Sequence, residues 1–235
     1  MRASGNIQRL TPATENYLLS LYVLREDNIS ATPGHLAEYL KTLPAGEGLG
    51  TSLSTVLSML RRMVREDLVS MSANKEVNLT HKGVLLAEDM VRRHRLAERM
   101  VVDILGLELH KAHIEAHRLE HAISPEIEAR IIYTLGNPTT CPFGRPIPGS
   151  GHIPYPGKSI RLDKALVGSN YYVARVPEED SDLLKFLVEQ AILPQEQLTI
   201  VDASPHLGVI TLRTKIGEAA IGYSVAAQIW MHEGS

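Results

Sequence analysis

The chain has 235 residues, 44% of them hydrophobic and 22% charged, with a formal net charge of −3. These proportions are ordinary for a globular protein and exclude wholesale disorder, a collagen-like fibre and a disulfide scaffold. At roughly 150 residues per domain the length fits one large domain or two small ones.

The one cysteine, Cys141, cannot close an internal disulfide, which points to a reducing compartment. No apolar run reaches the roughly 18 residues of a membrane span. Met1–Asn6 lacks the apolar core of a signal peptide. A cytoplasmic protein without a membrane partner is expected. Charge is unevenly spread. Residues 51–95 carry eight Lys/Arg against five Asp/Glu, and residues 160–235 carry six against ten. Five of the ten histidines (His94, His110, His113, His117 and His121) fall within 28 residues.

Taken in chain order, Thr11 and Pro12 open a helix to about Glu26, with acidic Glu15 in its first turns. Thr32 and Pro33 open a second, with Leu36, Ala37 and Leu40 at helical spacing, and the run Pro44–Gly50 breaks it. A third spans about Ser52–Glu66, with Leu53, Val56, Leu57, Leu60, Met63 and Val64 as its apolar stripe. Leu68–Ser72 and Glu76–Thr80 alternate around Ala73-Asn74-Lys75, which predicts a hairpin. Three helices and then a hairpin is the order of a winged helix-turn-helix.

Thr80 caps a long helix, about His81–Leu105, stopped by Gly106. Another covers His110–Ile123. Ser124-Pro125 starts a third with Ile127, Ile131, Ile132 and Leu135 on one stripe, a candidate dimer contact. Six prolines and four glycines over 138–157 read as a linker. Beyond it, Asn170–Val176, Gln197–Val201, Val209–Arg213 and Ala227–Met231 read as strands, with one helix near Ser181–Ile192. The expected fold class is mainly α, with a winged helix-turn-helix at 1–80 and a helical metal-binding and dimerisation domain at 81–150. A small β-rich domain follows at 151–235.

The exposed side of the third helix carries Ser52, Ser54, Thr55, Ser58, Arg61, Arg62 and Arg65. Hydroxyls suit base edges in the major groove, and arginines suit phosphates. Lys75 at the hairpin tip is placed to reach the adjacent backbone. On the histidine helix, His117 and His121 are four apart and Glu120 is three from His117. His94 and Glu98 form a second pair four apart, one helix earlier. Neutral imidazole with carboxylate suits first-row divalent metals. His117-Arg-Leu-Glu-His121 also spells H-x-x-E-H, the pattern of a zinc hydrolase with Glu120 as general base. A metal-independent DNA-binding protein and a metal store or chaperone are further alternatives.

Met90-Val-Arg-Arg-His-Arg-Leu-Ala-Glu98, then His113-x-Glu-Ala-His-x-x-Glu-His121 and Cys141-Pro-Phe-Gly-Arg-Pro-Ile-Pro-Gly149, resemble the diphtheria toxin repressor / manganese transport regulator family. The resemblance covers about residues 10–150, and the C-terminal part looks like the family's SH3-like domain. It implies a dimeric, non-enzymatic, metal-dependent repressor with a double-stranded DNA operator and no small-molecule substrate. It also implies one metal site of His94, Glu98 and His113 with help from the C-terminal domain. A second would use Asn16, His117, Glu120 and His121. Arg175 aligns with an acidic ligand of some members, and Glu178 is the nearer acid. Asn16 and His117 stand where iron-responsive members have Met and Cys, and where manganese-responsive members usually have Asp and Glu. Nitrogen and oxygen ligation ranks Mn(II) first and Fe(II) second, with Co(II) or Zn(II) able to bind in vitro.

Overall fold

A computed structural model of the chain describes residues 10–44, 49–155 and 159–233. The N-terminal hexapeptide, most of the break between the second and third helices, and Pro156-Gly157 of the expected linker lie outside the described residues. The chain forms two compact units. One runs to His94 and takes in Glu120–Ala122; the other comprises Arg95–Leu119 and the chain from Ile123 on.

In the first unit, α1 spans Pro12–Glu26, α2 Pro33–Leu40 and α3 Leu53–Arg65. Each starts where a side-chain oxygen takes up an otherwise unpaired backbone N–H. Thr11 accepts from Thr14, Thr32 from His35 and Ser52 from Thr55, at 3.2–3.3 Å. Strands β1 (Val69–Met71) and β2 (Val77–Leu79) pair antiparallel, Val69 opposite Leu79. The hairpin turns through Lys75 at φ 64°. Leu18, Leu36, Val56, Leu60, Met63, Leu68 and Val77 close one core. These elements are a winged helix-turn-helix, with β1 and β2 as the wing.

Helix α4 (His81–Arg99) begins where Thr80 Oγ1 accepts the Gly83 N–H at 3.0 Å. A Cβ on Gly83 would lie 1.9 Å from the Leu68 carbonyl oxygen, so α4 can start this close to the wing only with glycine there. The expected helix to Leu105 is regular only to Arg99. Met100–Ile104 form a π-helical turn, with the Leu105 N–H bonded five residues back to Met100. Helix α5 covers Leu109–Glu120, three residues short of its expected end. Ser124 caps α6 (Pro125–Thr134).

The second unit holds a six-stranded antiparallel sheet in the order β3-β8-β4-β5-β6-β7. The strands are β3 (Ile160–Arg161), β4 (Asn170–Arg175), β5 (Gln197–Ser204), β6 (Val209–Thr214), β7 (Gly217–Gly222) and β8 (Trp230–Glu233). Helix α7 (Ser181–Glu189), capped by Asp180, and the single turn α8 (Tyr223–Ala226) complete it. The last strand lies later than its expected Ala227–Met231, because α8 and a turn occupy Tyr223–Ile229.

The proline-rich run is not a free connector. Cys141, Phe143, Arg145 and Ile147 are all buried, and Cys141 and Phe143 join the core of the sheet. The Val176 N–H donates to the Phe143 carbonyl at 3.1 Å. A Cβ on Gly144 (φ +91°) would fall 2.0 Å from the Ala174 carbonyl oxygen. Prolines here shape a packed turn, and the alternating buried residues hold it down. Among the described residues no helix is long and apolar enough to cross a membrane.

Candidate metal centre and nucleic-acid face

In the first unit the donors sit on α1, on the last turns of α4 and at the end of α5. Asn16 and Glu15 are buried neighbours on α1. The Glu15 carboxylate accepts from Arg93 at 2.7 Å and pairs with His121 Nδ1 at 2.6 Å. Burial alone would push its carboxyl up, but the hydrogen bonds from His121 and Arg93, with the charge of Arg93, hold it below its ordinary value. His94 Nδ1 is hydrogen-bonded to Glu120 Oε2, and both side chains are buried. His121 Nε2 stands 3.5 Å from Glu120 Oε1. Glu15 and Arg93 were not anticipated as parts of this cluster. Glu15 reads in sequence only as an acid favourable to a helix start.

In the second unit, Glu98 Oε1 pairs with His113 Nδ1 at 3.1 Å. The His113 and His117 rings meet edge to face, with centroids 4.7 Å apart. The two donor sets inferred from resemblance therefore interleave: a member of each is bonded to, or packed on, a member of the other. Glu178 lies three residues beyond Arg175. It follows β4 in the loop before α7, where Arg145 Nε holds its Oε1 at 3.0 Å. Burial pushes the Glu178 carboxyl up despite the charge of Arg145. Its Oε2 is buried with no hydrogen-bond partner among the described residues. Burial, with Glu98 and Glu178 alongside, also pushes the Cys141 thiol well up. Arg175 stacks its guanidinium on the Trp230 ring, 5.4 Å from the centroid.

Buried carboxylates are costly unless a cation or strong hydrogen bonds offset their charge. Here Glu98 and Glu120 are fully buried beside buried imidazoles, and Glu178 keeps an unsatisfied oxygen. That donor chemistry fits a divalent cation.

The polar side of α3 faces outward. Ser54, Thr55, Ser58, Arg61, Arg62 and Arg65 are exposed, as is Lys75 on the wing. Two of the expected contacts have local duties. Ser52 is the α3 cap and also bonds the hydroxyls of Ser54 and Thr55 at 2.9 and 2.8 Å. Arg62 pairs with Glu66 at 2.8 Å, an exposed bond that contributes little and is easily exchanged.

A family model described as the metal binding and dimerisation domain of iron dependent repressors matches residues 80–149, and a FeoA domain model matches 160–232. The iron-dependent repressor IdeR of Mycobacterium tuberculosis is 35% identical over 215 residues, covering 86% of this chain and 89% of its own. The chain belongs to the diphtheria toxin repressor / manganese transport regulator family of metal-dependent transcriptional repressors. Within that family, the diphtheria toxin repressor of Corynebacterium efficiens is 40% identical over 144 residues, 61% of this chain and 59% of its own. A manganese-dependent transcriptional repressor solved in complex with manganese superimposes with a TM-score of 0.82 at 30% identity, covering 94% of this chain and all of that one. The manganese regulator SloR gives 0.75 at 26% identity, over 96% of this chain and all of its own. The family is one of repressors, not enzymes, so the hydrolase reading of H-x-x-E-H has no support.

Proposed function

We propose that this chain is a cytoplasmic homodimeric repressor that binds a palindromic DNA operator when loaded with divalent metal and so controls metal-homeostasis genes. Mn(II) ranks first as the activating ion and Fe(II) second. Residues 1–80 would meet DNA, 81–150 bind metal and dimerise, and 151–235 supply Glu178. The observation that carries this reading is the burial of Glu98, Glu120, His94, His113 and His117 together with the exposed hydroxyl and arginine face of α3.

The proposed ligand sets are those of the family. His94, Glu98, His113 and Glu178 form one, and Asn16, His117, Glu120 and His121 the other. A bound divalent ion supplies positive charge to these donors and has no step of covalent chemistry to perform. Asn16 on α1 and Glu120 at the end of α5 belong to the same unit, so an ion held by both would tie these two segments together. Glu15 positions His121 through the 2.6 Å bond and is itself held by Arg93. The metal acts as an allosteric ligand, binding the DNA-competent arrangement more tightly than the other. Two recognition helices at a set spacing then meet both half-sites together. Support for a dimer comes from apolar side chains left in water on the second unit: Ile104, Leu105, Ile127 and Tyr133 are 44–78% exposed.

Calorimetry with Mn(II) and DNA anisotropy test the ligand assignment together. His117→Ala and Glu120→Ala should keep the fold and the dimer but lose metal-stimulated DNA binding. Asn16→Ala should do less, because a neutral carbonyl is the weaker ligand. Asn16→Asp adds an anionic oxygen and should raise Mn(II) affinity. Full metal-dependent binding by His117→Ala would remove α5 from the switch.

A further inference from the structure

Within the second unit, α5 carries two imidazoles one helical turn apart, in the run His113-Ile-Glu-Ala-His117. Both are buried, His113 at 4% exposure and His117 at 0%. Each offers a ring nitrogen, and these two nitrogens lie within 4.8 Å of one another. Two nitrogens bound at about 2.0–2.1 Å to one tetrahedral zinc ion stand roughly 3.3 Å apart. Residues four apart on a helix share a face, so closing the difference asks for side-chain torsion and not for backbone movement.

His113 is held in the way a metal-binding histidine is held. Its Nδ1 is hydrogen-bonded to Glu98 Oε1 at 3.1 Å, and Glu98 is fully buried. A carboxylate on one ring nitrogen fixes the ring and raises the basicity of the other, here Nε2. The same carboxylate supplies buried negative charge against a divalent cation. The bland alternative is packing, since the two rings meet edge to face with centroids 4.7 Å apart. Packing alone would be served by hydrocarbon rings, which bury no polar nitrogens and need no carboxylate.

We propose that His113 and His117 together chelate one zinc ion, and that this ion antagonises the activating metal. The inference deepens the proposed function and rests on it in one respect: His113 belongs to one ligand set and His117 to the other. An ion on the pair takes one donor from each set, so neither set is complete while it is bound. Imidazole suits Zn(II), whereas Mn(II) favours carboxylate and carbonyl oxygen, so the pair selects against the activating ion. Two waters leave the hydrated zinc ion as the two ring nitrogens bind, and no group is oxidised or reduced.

The test is a Zn(II) titration of the metal-free, full-length protein labelled with 15N-histidine, followed through the imidazole nitrogen resonances. His113→Ala and His117→Ala assign the two rings. In wild type both rings should shift fully, through one nitrogen each, at one equivalent of Zn(II) per chain. Each variant should weaken Zn(II) at this site by roughly 100-fold or more, the gain that a second tethered donor brings. Shifts that are half complete at one equivalent and finish at two overturn the shared ion, because each histidine then serves a site of its own. A His113→Ala variant in which His117 binds Zn(II) at wild-type affinity overturns it too, as does the absence of any shift. DNA anisotropy is the second arm. One equivalent of Zn(II) added to wild-type protein loaded with Mn(II) should lower affinity for a palindromic duplex by roughly tenfold. Unchanged or higher affinity overturns the antagonism and leaves the proposed function standing. Failure of Mn(II) to stimulate DNA binding at all overturns the proposed function and the antagonism together, and the resonances decide the shared ion separately.

Discussion

Glu15 shows what single residues contribute here and why some escape a sequence reading. Its partners Arg93 and His121 are 78 and 106 residues away, so no local spacing announces them. His94, Glu98, His117 and Glu120 were legible because helical spacing pairs them within one or two turns. Glu15→Ala leaves Arg93 largely buried without its counter-charge, and should cost about 3 kcal/mol in urea unfolding of the metal-free protein. Tyr17 makes the opposite case. Its hydroxyl is buried with no hydrogen-bond partner among the described residues. Removing an unsatisfied hydroxyl without changing shape should be neutral or stabilising by up to about 1 kcal/mol in Tyr17→Phe. Burial raises the Tyr17 pKa from 10.0 to about 12. The unfolded chain therefore loses this proton first, and the folded state loses stability as pH rises from 10 toward 12. Denaturation midpoints against pH should fall more steeply there in wild type than in Tyr17→Phe.

At the level of elements, helix starts were the most legible feature. Thr11, Thr32, Ser52, Thr80 and Ser124 each accept a backbone N–H three residues on; a following proline marked Thr11, Thr32 and Ser124, and Thr80 was expected as a cap from its residue type. Strand β7 was not legible: Gly217-Glu-Ala-Ala-Ile-Gly222 has a single β-branched residue, and pairing with β6 makes it a strand. The turn 139–147 was misread as a linker because proline and glycine content hides the alternation of Cys141, Phe143, Arg145 and Ile147 into the interior. Gly144→Ala would combine strain at φ +91° with a clash against Ala174, and should destabilise the protein by about 2 kcal/mol or more in thermal unfolding. On α3, Arg61→Ala and Arg65→Ala should weaken DNA binding to all sequences and each lower the salt slope by about 1. Ser54, Thr55 and Ser58 variants should instead alter which sequence is preferred, read by selection from a random duplex library. Ser52→Ala should cost about 1 kcal/mol of stability through the lost cap, separate from any loss of contact.

For the whole molecule, the order winged helix, helical segment and antiparallel sheet was readable from periodicity, because each element type has its own apolar spacing. The interleaving of the two donor sets was not, because it depends on how distant helices meet. Dimerisation and metal control belong to this scale. Ile127→Asp puts a charge into the exposed apolar face of α6 and should shift the protein toward monomer in sedimentation, with DNA affinity falling in step. In the proposed function metal sets DNA affinity through these buried donors. Anisotropy with a palindromic duplex, selected from random sequence by the Mn(II)-loaded protein, measures it most directly. Mn(II) or Fe(II) should tighten binding by roughly 10- to 100-fold over the same protein in chelator, a coupling of about 1–3 kcal/mol. Equal affinity in chelator and in metal would contradict the account.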